Sequence, residues 1–456
     1  MGARLALETA AAKLAGSLSR VAGRGGGTTL PGKILWKLDP GAIDALAGRL
    51  CEGSVVVSAT NGKTTTTAMA ARMLGHGRRL AWNNSGANLA SGVASTLLRA
   101  PKAELGLFEV DEFALPEMIR RVRPRVVVLG NLFRDQLDRY GELEHVAERW
   151  REAVARLPAE TVLVVNGDDP LVADIAHGRE AAVRYGLDDP RVARPALQHA
   201  ADSKYCLRCG TPYDYAAAYV GHLGDYRCGA CGHGRPALDV VAGEIESHGL
   251  EATSFLLSTP AGVERVRLPL PGLYNVYNGL AAASLCLTLG ATLRDVTTGL
   301  EGFQAAFGRF ERIEVRGKRL VLLLIKNPAG ANEAVRTLQE GGLPRTLMIA
   351  LNDAIADGRD VSWIWDVDFE PLLEGAERLV VSGDRAAELA LRFTYAGFPA
   401  ARLEVVPELS AAVDRALALV PEGGELAVLP TYTAMLRLRS VLAARGHVRP
   451  YWEGTA

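Results

Sequence analysis

Short, unbroken apolar runs dominate the hydrophobic pattern of this chain. Val55–Val57, Glu104–Val110, Arg125–Leu129 and Thr161–Val165 each have the length of a strand, and helical stretches separate them. Runs without polar alternation suit strands covered on both faces. Strands alternating with helices predict an α/β fold with a mostly parallel sheet and helices on both sides. Around Arg194–Arg235 the rhythm breaks into an insert rich in cysteine and tyrosine, and it resumes near Gly262. Beyond a boundary near Arg312, a second α/β unit is expected, with strands at Leu320–Ile325, Thr346–Leu351, Arg378–Ser382 and Glu425–Leu429. The expected division is a helical arm over 1–45, a central domain over 46–311 with its insert at about 200–236, and a smaller C-terminal domain over 312–456.

Composition narrows the function classes. Fifty-one basic residues against fifty-two acidic ones leave no net field to hold a polyanion, so nucleic acid is disfavoured as main partner. No run approaches the roughly 20 apolar residues that cross a bilayer. The opening MGARLALETAAAKLAGSLSRVAGRGGG has no continuous apolar core of a signal peptide. A cytoplasmic protein is therefore expected. Four of the six cysteines have metal-ligand spacing, and the other two, Cys51 and Cys286, read as lone core thiols.

Candidate chemistry begins directly after Val55–Val57, where Ser58–Thr65 reads SATNGKTT and leads into a helix. Backbone N–H groups in such a turn, at Thr60, Asn61, Gly62 and Thr65, can surround phosphate oxygens. Lys63 would bring a point charge to the β and γ phosphates of ATP, and Thr64 a hydroxyl to magnesium. The first glycine of the usual phosphate loop is absent, because Val57 occupies its place.

TNGKTT resembles the phosphate loop of the Mur ligase superfamily, and further landmarks follow in order. They are NNSGAN at Asn83–Asn88, EVDE at Glu109–Glu112, NLFRDQLDRYGE at Asn131–Glu142, NGDDP at Asn166–Pro170, LYNVYNGLAA at Leu273–Ala282 and GRFE at Gly308–Glu311. The resemblance implies a Mur-ligase-type ATP-binding domain that turns a carboxylate into an acyl phosphate for attack by an amine. It places Glu109 on magnesium, Asn278 at the adenine and Arg309 on the ATP phosphates.

Three departures set the chain apart from amino-acid-adding members. Too few residues precede the phosphate loop for their N-terminal nucleotide-sugar domain. Gln136 stands where they carry a metal-binding histidine, which leaves a second magnesium site open. In LLLIKNPAGAN, Leu322–Asn332, apolar residues replace an acidic pair and Lys326 replaces a histidine, and Lys326 is read as a phosphate or acyl-phosphate contact. These departures resemble the MurT branch of the superfamily. That resemblance implies ATP-dependent amidation of the D-glutamate α-carboxylate in the lipid II stem peptide. It also implies a GatD-like glutamine amidotransferase partner that supplies ammonia, and a location at the inner membrane face only through the lipid-linked substrate.

Two further features remain. Cys206, Cys209, Cys228 and Cys231 form C-x2-C-x18-C-x2-C, each pair followed by glycine. Four thiolates so spaced suit a closed, structural zinc site, with disulfides or free thiols as competing readings. The stretch LNDAIADGRDVSWIWDVDFE, Leu351–Glu370, carries five aspartates and two tryptophans. On composition it is a capped loop anchored by aromatic residues. The resemblance instead implies that Asp360 completes the partner's Cys-His pair, acting as the acid of a triad. A stand-alone amino-acid ligase of the folylpolyglutamate synthase type, and a non-catalytic scaffold assembled through the ribbon, are the rival readings.

Overall fold

The computed structural model describes residues 29–75, 77–84, 86–135, 142–198, 201–304 and 310–449, together with Glu8, Thr9 and Ala12. Most of the expected N-terminal arm, Gln136 and Arg309 lie outside the described residues.

The apolar runs form the middle of a nine-stranded sheet. In chain order its strands are β1 (Ser54–Ser58), β2 (Leu80–Trp82), β3 (Leu105–Glu109), β4 (Val126–Leu129), β5 (Val162–Asn166) and β6 (Ala182–Leu187). Two further strands, β7 (Asp214–Val220) and β8 (Leu223–Arg227), form a separate hairpin, and β9 (Val240–Ser247), β10 (Thr253–Thr259) and β11 (Gly262–Leu268) complete the large sheet. Its order is β11-β10-β9-β6-β5-β4-β1-β3-β2, parallel from β2 to β9 and antiparallel beyond. Every residue of β1 is buried, as a strand between two parallel neighbours requires. The sheet pattern resumes at Val240, earlier than the apolar runs suggest. In β9 exposed Glu244 and Glu246 sit among buried Val240, Ala242 and Ile245, the half-covered pattern of an antiparallel margin.

The second sheet contains β12 (Phe310–Val315), β13 (Lys318–Leu323), β14 (Thr346–Ala350), β15 (Arg378–Ser382), β16 (Leu403–Val405) and β17 (Glu425–Pro430), in the order β12-β13-β17-β14-β15-β16. Only β12 runs antiparallel to its neighbour. Among the described residues no helix is long and apolar enough to cross a membrane. Cys286 is buried as expected. Cys51 is exposed, because it sits in the turn between the helix Ala42–Ala47 and β1 rather than within either.

Asp168, just past β5, ties three elements together. Its carboxylate accepts from the Tyr277 hydroxyl at 2.6 Å, from the Leu187 N–H at 2.8 Å and from Arg235 at 3.2 Å. Burial nevertheless dominates and lifts its pKa from 3.8 to about 6, against the opposing pull of Arg235 and Tyr277. Between these values the folded chain holds a proton that the unfolded chain has released, so this group's contribution to stability falls as pH rises. Asp168→Asn keeps acceptors for Tyr277 and Leu187 without the charge. Thermal melts of both proteins should show the wild type gaining on the variant from pH 6 to pH 4. The full difference is about 3 kcal/mol for a shift of about 2 units, and a pH-independent difference would refute the assignment.

Candidate active site

Parallel register builds the site. Val57 pairs with Glu109 on one side and Val128 on the other, so the loop leaving β1 emerges beside the ends of β3 and β4. The loop Ala59–Gly62 then turns into the helix Lys63–Gly75. Gly62 is required twice over. Its φ is +88°, a left-handed value costly for other residues, and a Cβ there would lie 1.9 Å from Asn278 Oδ1. Asn278, on the helix Leu273–Thr288, is thus packed directly on the phosphate loop, and its amide donates to Asn275 Oδ1 at 3.2 Å.

Three asparagines fix the loop. The Asn61 N–H donates to Asn131 Oδ1 at 2.9 Å, and Asn131 Nδ2 donates back to the Asn61 carbonyl at 3.0 Å. The Asn61 side chain exchanges two amide hydrogen bonds with Asn327, at 3.2 and 3.1 Å. Asn327 in turn caps the helix Pro328–Glu340 by accepting from Gly330 N–H at 2.9 Å. The phosphate loop and the second sheet's first helix are therefore joined at one residue.

Lys63 is buried, and its ammonium donates to Glu112 at 2.7 Å, to the Thr60 carbonyl at 3.3 Å and to the Ala59 carbonyl. Burial works against both charges, but each partner overrides it: Lys63 is held above its ordinary pKa and Glu112 below. Thr64 Oγ1 lies 3.1 Å from Glu109 Oε1, which places a hydroxyl and a carboxylate side by side as a divalent cation would need. Asn83 holds the end of β3 by accepting from Glu109 N–H and donating to its carbonyl, both at 2.8 Å. Across the cleft, Lys326 donates to Asp135 at 2.6 Å. Burial raises the Asp135 pKa despite that lysine.

Asn61, Gly62, Thr65, Asn278 and Lys326 line one cleft, and Thr60, Lys63, Thr64 and Glu109 adjoin it through the phosphate loop and its hydrogen bonds. Glu112, Asp135, Asn131 and Asn327 join them without having been singled out. Each lay inside a quoted motif, but pairing with a residue up to 266 positions away leaves no local trace. Asp360 lies elsewhere, exposed on the second domain.

The five aspartates of the Asp-Trp segment separate by contact. Asp353 binds Arg385 at 2.9 Å, Asp357 binds Thr433, and Asp366 lies 3.5 Å from Arg134 of the first domain. Asp368 anchors through its backbone N–H to Asn332 at 2.8 Å. Asp360 accepts from Ser362 N–H, two residues on, at 2.8 Å; hydrogen bonding from the Ser362 hydroxyl and then from its N–H lowers the Asp360 pKa, and the residue is exposed. Five residues after Asp360, the exposed ring of Trp365 meets that of Tyr395 edge to face at 5.7 Å.

In the insert, the four knuckle sulfurs lie within 4.8 Å of one another, with Cys206–Cys231 at 3.5 Å and Cys209–Cys228 at 3.4 Å. Four sulfurs about 2.3 Å from one ion would be spaced about 3.8 Å apart, so the cluster fits a tetrahedral metal. Gly210 and Gly232 adopt left-handed φ of +73° and +77°, and each N–H returns to the first cysteine of its pair.

Comparison with known proteins agrees with this geometry. Residues 57–207 match the Mur ligase middle domain, and residues 324–435 match the MurT ligase C-terminal domain. The chain is 33% identical to the MurT subunit of lipid II isoglutaminyl synthase from Streptococcus pneumoniae, over 93% of this chain and 94% of that one. The Staphylococcus aureus subunit of the same name is 32% identical over 84% of this chain and 86% of its own. In fold, a pseudomurein peptide ligase from Methanothermus fervidus superposes with a TM-score of 0.69 at 22% identity, covering 88% of this chain and 80% of that one. The chain belongs to the MurT family of Mur-ligase-like proteins.

Proposed function

We propose that this chain is the ATP-using subunit of a lipid II isoglutaminyl synthase. The observation that carries the reading is the cleft itself, where phosphate loop, paired Thr64 and Glu109, and Lys326 of the second domain converge within a MurT-family chain. The domain limits at 46–311 and 312–456 belong to this proposal, since the cleft lies between them. A cytoplasmic location follows from the precursor's chemistry.

ATP enters with its phosphates against the N–H groups of Gly62–Thr65 at the start of the helix, since those of Thr60 and Asn61 are already bonded to Asn131. A carboxylate oxygen of D-glutamate attacks the γ-phosphorus, and the bond to ADP breaks, giving an acyl phosphate. Ammonia then attacks the acyl carbon, phosphate leaves with the bonding pair, and the surplus proton passes to solvent, leaving D-isoglutamine. Lys63 and Arg309 offset charge on the transferring phosphoryl group, and Lys326 faces the same cleft from the opposite side. Magnesium held by Thr64 and Glu109 would neutralise phosphate charge. Lys63 must loosen its contact with Glu112 to reach a phosphate.

A glutaminase partner of the GatD type supplies the ammonia. The exposed Trp365–Tyr395 pair, whose tryptophan follows Asp360 by five residues, supports a docking face on this domain, because large exposed aromatic side chains commonly anchor interfaces. The exposed Asp360 orients the partner's histidine. The cysteine knuckles hold a structural zinc ion.

Lys63→Ala should reduce amidation by at least about 10²–10³-fold. It should also cost about 3–5 kcal/mol of stability, because Glu112 is left charged and buried. Lys63→Ala with Glu112→Gln should recover the melting temperature without recovering amidation; recovery of activity would remove Lys63 from the chemistry. Asp360→Asn should lower glutamine-dependent amidation about 10⁴-fold and leave amidation with free ammonia intact. Equal losses with both nitrogen sources would relocate Asp360 to the synthetase site. Elemental analysis of reduced, freshly purified protein should find about one zinc per chain, and Cys206→Ser should lower both zinc content and melting temperature. A metal-free, fully stable wild type would refute the site.

A further inference from the structure

The tip of the β7–β8 hairpin is buried where a hairpin turn would ordinarily lie at the surface. Val220, His222 and Leu223 are 4%, 0% and 1% exposed. The tip is held from three directions. Gly224 N–H donates to the Asp168 carbonyl at 2.9 Å, which fixes it to the end of β5. The His222 ring packs at a tilt against Phe133, with centroids 4.8 Å apart, and Phe133 N–H donates to Thr60 Oγ1 of the phosphate loop at 3.1 Å. From the second domain, Arg336 on the helix Pro328–Glu340 donates to the Tyr219 carbonyl at 3.0 Å and to the Val192 carbonyl at 2.8 Å. Arg194, at the start of the insert, pairs with Glu333 of the same helix at 2.9 Å.

Val220 and Leu223 line the same cleft as Asn61, Gly62, Thr65 and Asn278. The polar end of that cleft is the phosphate loop. Its other walls include an apolar stretch, formed by the hairpin tip with Leu323, Ala329 and Ala334, beside Lys326 and Glu333. A nucleoside triphosphate carries its own division of the same kind, charged at the phosphates and flat and weakly polar at the base. At the far end of the hairpin sit the knuckles, since β7 follows Cys209 by five residues and β8 runs directly into Cys228.

We infer that the hairpin tip, through Val220 and Leu223, is the wall against which the nucleotide's base packs, and that the cysteine knuckles position this wall. This inference rests on the cleft being the ATP site. It makes the insert a positioning element of nucleotide binding rather than a remote stabilising module. Removing a tip side chain should weaken the contact with the base and leave the phosphate contacts of Gly62–Thr65 untouched.

The test is calorimetric titration of the full zinc-loaded chain with magnesium-ATP and, separately, with magnesium tripolyphosphate, which has no base. Leu223→Ala, with unchanged zinc content, should bind ATP about 10-fold more weakly and tripolyphosphate within about twofold of wild type. Val220→Ala is the smaller truncation and should show the same selective loss if Leu223→Ala does not fold. Wild-type protein stripped of zinc should likewise lose ATP affinity more than tripolyphosphate affinity. Unchanged ATP binding in the tip variants, or equal loss for both ligands, would overturn the wall. A wild type that binds neither ligand would instead sink the ATP reading beneath it.

Discussion

The pair of amide hydrogen bonds between Asn61 and Asn327 is the contact on which the site's geometry depends. One partner sits in the phosphate loop and the other caps the first helix after β13. Each residue is held elsewhere as well, because Asn131 clamps the Asn61 backbone while the Asn327 oxygen also accepts from the Gly330 N–H. Each added bond restricts the others, so the loop has little freedom to relax when one is strained. The two domains therefore meet at a fixed point, and the cleft opens to either side of it.

Around that point the charged groups are arranged in buried pairs that a ligand can exchange. Lys63 with Glu112, and Lys326 with Asp135, face each other across the cleft and sense one another's charge. A buried ion pair contributes little net stability once desolvation is counted, but breaking one side of it is costly. Pairing with Glu112 keeps the Lys63 ammonium charged and in place.

The second domain does two things with one sheet. The loop after β13 carries Lys326 and Asn327 to the cleft, whereas the segment after β14 carries Asp360 to an exposed face. Three aspartates around Asp360 are committed to Arg385, Thr433 and Arg134, which shapes the segment and leaves Asp360 exposed. Lys326 and Asp360 are thus separated in space while sharing one sheet.

The sequence by itself determined the local elements. Apolar runs of strand length fixed β1, β3, β4 and β5, because a strand covered on both faces must be apolar along its length. GKTT after such a run located the phosphate loop, and the cysteine spacing located the knuckles, since both signals lie within a few consecutive residues. Local pattern gave little hint of β9, where exposed residues sit among buried ones, and it misplaced Cys51, which a turn brings to the surface. Glu112, Asp135 and Asn327 became site residues only through partners far along the chain. The same holds for the hairpin tip, which composition assigns to an outlying insert and packing assigns to the cleft. Hydrophobic periodicity records whether a residue faces water, but not which distant residue it faces; that choice is made by strand register and domain docking.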